Sequence, residues 1–547
     1  MVSPPTSISK KLAWGVFFFF LFIYILTSTG GIASSDGLTM FYVTQSLVER
    51  GEVSVPGGNT TPGRDGKLYA RSGLGLSLVA IPFYIAGKAA AALAPANLQG
   101  LAAKGLVSLT NAFISAGACL IFFLICIRLG YSRRLAFWLT LGFGVSSYFF
   151  PYTKSFLTEP LQTLCFLGAF YGLFVYAQTG SSRGLIMAGI FSGMGLLTKA
   201  AFILNLALLS WYFVKVSREK SPHRFWRHLF YFVFPILLAG LVTQAYNFAR
   251  FGNIFTTGYG REASLAGFST PLYVGLHGML FSSGKGFFWF TPLAIMGLFA
   301  FPKFTRPYRR EAFLFGAVLI VNLLFYAKFK SWAGEGSWGP RYLVPLVPFL
   351  LLPIGGLLKT GLKKSRYCFF GLLLSGFLIQ LAGVSIYFGT YYREIGEYPY
   401  QREFTDPLFL YQSRFVPNYS QIVGQWEMLI RNAGMLLAGE KITLKLSNAD
   451  GRIPLAEDAV AQLRYTLDYW FAYAVYSGVN GYFALAGILG LWLGIFFSCK
   501  IVWREIRMGW WLKDFLSAQY RENLSRYHTW LQFKKTRAEK SVARVRR

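Results

Sequence analysis

The chain has 547 residues, of which 54% are hydrophobic, 18% aromatic and only 14% charged. Soluble proteins carry about 25% charged residues, so a water-soluble globule is excluded, and so apolar a chain cannot stay solvated as a disordered one. The net charge of +31 raises nucleic acid as a partner, but much of it lies in loops between apolar segments. A cytoplasmic surface facing anionic lipid explains that distribution better.

Apolar runs long enough to cross a bilayer recur along the chain, separated by short basic loops. They are continuous rather than alternating, which predicts an all-α polytopic membrane protein and argues against a β-barrel. Residues 12–28 form the first span, behind Lys10 and Lys11. This start resembles a signal peptide, with Ala33-Ser34-Ser35 as a cleavage site. Retention is expected, because cleavage would remove the anchor beside Asp36.

Lys/Arg counting sets the orientation. Arg128–Arg134, Ser181–Arg183, Lys215–Arg227, Lys303–Arg310, Lys359–Arg366 and the tail from Lys500 are placed inside. The tail 500–547 has 13 basic and 4 acidic residues, whereas the segment 389–478 has 8 basic and 10 acidic and is placed outside. Both termini are then cytoplasmic, which needs an even number of crossings. Residues 73–94 are apolar enough to span, but a crossing there would put Arg128–Arg134 outside, so a partly embedded helix is expected. A break near Lys199 divides 184–214 into two short crossings.

The expected spans are about 12–28, 105–128, 134–151, 160–178, 184–197, 200–214, 229–247, 286–302, 312–328, 342–358, 367–388 and 479–499. The chain then divides into a transmembrane module over 1–388 (first outer loop 29–104) and an extracytoplasmic loop domain over 389–478. The last helix, 479–499, precedes a basic tail over 500–547. In that tail Trp503, Trp510 and Trp511 suggest a helix lying on the inner leaflet. Cys119, Cys126, Cys165, Cys368 and Cys499 sit in apolar stretches without a CxxC pattern and read as small apolar side chains.

Acidic residues are informative because they are rare. Nine precede residue 389, and the expected topology puts all but Glu219 and Glu311 outside. Chemistry at the outer face follows, and a transferase there needs a donor delivered through the bilayer. In Ser34-Ser35-Asp36-Gly37, Ser35 or Asp36 suits the cap of a following amphipathic helix over 38–50, Asp36 also suits a catalytic base, and one residue can do both. Glu159, in Thr158-Glu159-Pro160, opens a span, and Glu is a poor cap. It suits a role in assisting Asp36 or in holding a divalent cation.

Arg71, Lys154, Lys199, Arg261, Lys285 and Arg341 fall at outer ends of spans or in outer loops, against the positive-inside trend. Any one of them reads as a snorkelling residue, while together they suit a phosphate or diphosphate. Between Lys330 and Arg341, Trp332, Glu335 and Trp338 add candidate substrate contacts, and the Gly and Ala residues among them suit close backbone approach.

Several short motifs resemble the GT-C membrane glycosyltransferases that use polyprenyl-phosphate sugars, such as protein O-mannosyltransferases and lipid A aminoarabinose transferases. They are the acidic residue soon after span one, Tyr69-Ala-Arg71-Ser-Gly-Leu-Gly75, Thr158-Glu159-Pro160, Gly193-Met-Gly-Leu-Leu-Thr-Lys199 and Arg341-Tyr-Leu-Val-Pro345. The resemblance covers roughly residues 10–360, in matching order and spacing. It implies a GT-C-like bundle of about 12 transmembrane helices with outer-face amphipathic helices, in the bacterial inner (plasma) membrane. It further implies inverting transfer from a polyprenyl-phosphate-linked sugar donor to a glycan, lipid or protein acceptor. Asp36 and Glu159 would then be catalytic, with Arg71, Lys199, Arg261 and Arg341 on the carrier phosphate and Lys154, Lys285, Trp332, Glu335 and Trp338 on substrate. Gly37 follows Asp36 where many relatives have Asp-Glu, and Glu159 replaces Asp, which leaves open a divalent cation, Mg or Mn, at these two carboxylates. Membrane lipids are expected partners and nucleic acid is not. The rivals are a transporter or lipid flippase, whose ionisable residues would lie near the midplane, and a non-catalytic membrane scaffold.

Overall fold

The computed structural model describes residues 9–94, 99–260, 264–397, 402, 406, 408–439, 467–476 and 478–507. The described residues are overwhelmingly helical; their one sheet is an antiparallel pair, Thr60–Pro62 with Leu68–Ala70, in which Thr61 faces Tyr69. An Asp65-Gly66 turn closes the hairpin, with Gly66 at φ 77°, where a side chain would be strained. Among the described residues seven helical segments are long and apolar enough to cross a membrane, and four shorter apolar helices join them. The chain is a multi-pass membrane protein.

Several expected spans are not single helices, and proline is the main reason. The 342–358 segment is a 3-10 turn, Arg341–Leu346, followed by two short helices, Val347–Leu351 and Ile354–Leu358. Pro345, Pro348 and Pro353 each remove a backbone N–H there. Thr291-Pro292 likewise separates Phe287–Phe290 from Leu293–Thr305. The 134–151 segment is Arg133–Val145 plus one turn at Phe149–Tyr152. Residues 73–94 are not one helix: Gly75–Val79 precedes Ile81–Leu93, which packs back on Gln99–Ser108, with Gly87 lying against the Ala103 backbone. The last helix, Gly481–Arg507, runs beyond the expected 499; Trp510 and Trp511 lie outside the described residues.

Polar contacts mark two ends of the bundle. At one end Ser9 Oγ donates to Glu505 (2.6 Å) and Arg133 to the Glu505 carbonyl (3.0 Å). Tyr308 and Lys359 donate to the Leu129 carbonyl there, and Arg128 reaches Gln178. This is the end of the basic loops. At the other end lie the C-terminus of Lys10–Leu26, the N-terminus of Glu159–Thr179 and the described part of 389–478, laid on the bundle rather than apart from it. Trp470 N–H donates to the Ser28 carbonyl, and Asp468 N–H to Ser385.

Lys154 fastens this second end. It is buried, pairs with Asp468 Oδ2 at 2.8 Å, and donates to the carbonyls of Val384 (2.6 Å) and Asp468 (2.7 Å). Breaking a buried pair from one side strands a charge and costs about 3–5 kcal/mol. Lys154→Met should therefore lower the thermal midpoint in detergent substantially, and adding Asp468→Leu should recover part of the loss. Equal melting of Lys154→Met and wild type would refute the tether.

Candidate functional site

Four charged side chains from widely separated segments meet at the end opposite the basic loops. Arg341 donates from Nε to Glu159 Oε1 at 2.7 Å and from Nη1 to Asp36 Oδ2 at 3.0 Å. Lys199 Nζ stands 3.8 Å from the same Glu159 oxygen. Asn59 donates to the other Asp36 oxygen at 2.7 Å, and Arg71 donates to Asn59 Oδ1 and to the Gly258 carbonyl, both at 3.3 Å.

Helix ends explain why these residues hold these charges. Asp36 lies in the first turn of Ser35–Glu49 and Glu159 in the first turn of Glu159–Thr179, where the helix dipole favours an anion. Lys199 is the C-cap of Ser182–Thr198, where it favours a cation, and its extended backbone (φ −155°) makes the break before Phe202–Lys220. Ser34, not Asp36, caps its helix, accepting from Gly37 N–H at 3.0 Å. The Asp36 carboxylate is thus released for Arg341. Thr158 holds the cap position ahead of Glu159, without a side-chain cap bond.

Glycines bring two of the motifs together. Gly73 and Gly75 lie so close to Leu197 and Thr198 that a Cβ on either would collide with them. Gly258 packs against the Arg71 backbone in the same way. The Tyr69–Gly75 motif is thereby pressed onto the end of the Gly193–Lys199 motif.

Aromatic rings close the site. Lys199 Nζ lies 4.5 Å from the Tyr342 ring centroid and 5.7 Å from that of Tyr326, two rings stacked at 4.7 Å. Arg71 lies over Tyr259 at 5.9 Å. Burial, then the charge of Asp36, push the Tyr259 hydroxyl up to about 12. Glu159 is fully buried, and its Oε2 has no hydrogen-bond partner among the described residues.

Other expected contacts lie elsewhere or are already engaged. Lys154 is the tether described above. Lys285 is fully buried and donates to the carbonyls of Glu335 (2.9 Å) and Ser337 (2.5 Å). Trp338 is buried with its indole N–H on Gln380 (3.0 Å), and Trp332 packs beneath Arg414. Glu335 pairs with Arg414 at 3.3 Å. Arg261 lies outside the described residues. Asn59, Tyr259 and Tyr326 were not expected, since nothing about an Asn after two glycines or a span tyrosine marks it from sequence.

Among the described residues no three of His, Cys, Asp and Glu gather into a cation site. Asp36 and Glu159, the carboxylates considered for Mg or Mn, converge on the Arg341 guanidinium instead.

No family model matches the chain, and no curated protein sequence matches it. Among solved structures, it is similar to the crystal structure of ArnT from Cupriavidus metallidurans bound to undecaprenyl phosphate. That likeness has 15% sequence identity and a TM-score of 0.42, and covers 91% of this chain and 76% of that one.

Two outcomes test the cluster. Arg341→Met leaves buried Glu159 without its closest cation and should cost about 3–5 kcal/mol, whereas Arg341→Met with Glu159→Gln should cost less than Arg341→Met alone. Thermal unfolding of the three variants measures this, and a double variant worse than the single one would contradict it. The second concerns pH. Burial pushes the Asp36 carboxyl up, but the Arg341 charge, hydrogen bonds from Asn59 and Arg341 and the Lys199 charge outweigh it, so its value lies below the ordinary 3.8. A carboxyl lowered by folding stabilises fully above its unfolded value and loses that stability as pH falls through its folded one. The stability difference between wild type and Asp36→Asn should stay flat between about pH 6 and about pH 5 and shrink only below about pH 4.

Proposed function

We propose that the chain is a GT-C-type glycosyltransferase moving a sugar from a polyprenyl-phosphate carrier to an acceptor hydroxyl. The observation that carries this reading is the meeting of Asp36, Glu159, Arg341 and Lys199, with Arg71 behind Asn59, at one end of a membrane bundle. Carboxylates and cations at helix ends suit a transferase handling a phosphate leaving group; a transporter or flippase would keep such residues near the midplane. The basic loops at the opposite end favour an outer-face site in the bacterial inner membrane, with both termini cytoplasmic.

In the proposed reaction the acceptor hydroxyl oxygen attacks the anomeric carbon. The bond from that carbon to the carrier phosphate oxygen breaks, and its electron pair leaves with the phosphate. The hydroxyl proton passes to Asp36, which Arg341 and Asn59 hold ionised and so in the form that accepts a proton. Arg71, Lys199 and Arg341 offset the charge left on the phosphate. Buried Glu159 holds Arg341 and Lys199 in place, and its unpartnered oxygen suits a hydroxyl of the donor sugar. A single displacement inverts the anomeric configuration. The acceptor is a glycan, lipid or protein.

Purified protein in nanodiscs titrated with undecaprenyl phosphate tests the phosphate half of this reading. Arg71→Gln and Lys199→Gln should each weaken binding by roughly 10- to 150-fold, the loss of one charge-assisted hydrogen bond at about 1.5–3 kcal/mol. Because they share one ligand, the double variant should depart from additivity. Asp36→Asn should bind the carrier as well as or better than wild type, since an anion is removed, yet lose about 10²–10⁴-fold in turnover with a polyprenyl-phosphate sugar. Undiminished turnover of Asp36→Asn would remove it as the base, and carrier affinity untouched by Arg71→Gln and Lys199→Gln would remove the phosphate site.

A further inference from the structure

Arg341 owes its place to the loop before it, and that loop is held by groups that do not touch the charge cluster. Between Ser331 and Arg341 the backbone is left-handed at Gly334 (φ 69°), Glu335 (φ 55°) and Gly339 (φ 61°). A side chain rarely adopts such a conformation, so Glu335 needs outside support to stay there. Lys285 supplies part of it from below, through the Glu335 and Ser337 carbonyls and the Ser337 hydroxyl at 3.2 Å. Gly334 is packed so tightly that a Cβ there would meet Arg341 Cβ at 2.8 Å. Movement of this turn therefore moves Arg341.

The remaining support comes from another part of the chain. Arg414, in the segment after the Lys363–Ser385 helix, pairs through Nη2 with Glu335 Oε2 at 3.3 Å and lies over Trp332 at 5.4 Å and Phe409 at 5.0 Å. Its own segment is seated firmly. The Arg414 carbonyl accepts from Gly284 N–H at 3.2 Å, next to Lys285, and Gly284 packs directly on the Ser413 carbonyl. Ser420 Oγ donates to the Ser283 carbonyl at 3.0 Å, and Glu397 accepts from the N–H groups of Gln412 and Ser413.

From this chain of contacts we infer that the segment 408–421 is part of the donor site: Arg414, acting through Glu335, is a positioning residue for the phosphate-binding Arg341. Resting on the phosphate assignment above, this makes carrier affinity depend on a residue outside the charge cluster. It also assigns Lys285, Trp332 and Glu335 to the support of Arg341 rather than to substrate.

The left-handed backbone at Glu335 provides a variant that separates positioning from folding. Glu335→Gly suits φ 55° better than Glu does, so it relieves backbone strain while deleting the ion pair. The full chain in nanodiscs is titrated with undecaprenyl phosphate, as wild type, Glu335→Gly, Arg414→Gln and Arg414→Lys, with the thermal midpoint of each recorded. Affinity should fall about 2- to 30-fold in Glu335→Gly and Arg414→Gln, the range for coupling through residues that touch no ligand. Arg414→Lys should keep part of the affinity, and Glu335→Gly with Arg414→Gln should be no worse than Glu335→Gly alone. Wild-type affinity in Glu335→Gly would overturn the inference, whether or not Arg414→Gln folds. Absence of carrier binding in wild type would instead overturn the phosphate assignment and this coupling with it.

Discussion

A guanidinium held between two carboxylates organises this protein's candidate site. Arg341 binds Glu159 and Asp36 at once, and Lys199 approaches Glu159 from a third segment. Burying any one of these charges alone would be costly, and together they balance at two positive and two negative. Each is therefore required by the others. The first outer helix, the Glu159 helix, the Lys199 break and the 331–341 loop must all reach the same end of the bundle for the balance to exist. Replacing such a cluster by apolar side chains is often neutral for stability, so folding alone does not require charges at these four positions.

Much of this was legible in the sequence, for identifiable reasons. Acidic residues are scarce in an apolar chain, so Asp36, Glu159 and Glu335 stood out, and cations against the positive-inside trend marked Arg71, Lys199 and Arg341. The break at Lys199 followed from parity and appears as an extended residue between two helices. Partners were not legible. Nothing in sequence says that Arg341 would join Asp36 to Glu159, because they lie 305 and 182 positions away. Lys154 and Lys285 had the same signature as Arg71, an unexpected cation near a span end, yet their ammonium groups meet backbone carbonyls or an internal aspartate. Internal breaks were not legible either: 341–358 is long and apolar enough as a whole to cross a membrane, but hydropathy averages over Pro345, Pro348 and Pro353 without registering lost N–H groups.

The two ends of the bundle carry different electrostatics. Basic loops gather at the end of Ser9, Leu129 and Glu505, where Arg133 and Lys359 donate to backbone carbonyls. The other end holds compensated clusters whose members are mostly buried. One end suits an anionic lipid surface, and the other suits one anionic ligand admitted among fixed charges and aromatic faces. The described part of 389–478 belongs to that second end structurally, through Asp468, Trp470 and Arg414.

The most direct measurement is a structure of the full chain in lipid with undecaprenyl phosphate bound. The account predicts the phosphate within hydrogen-bonding reach of Arg71 and Lys199, beside Arg341, with Asp36 facing the side from which an acceptor would approach. A phosphate seated among the basic loops at the opposite end, or at the Asp36 end but away from Arg71, Lys199 and Arg341, would contradict it.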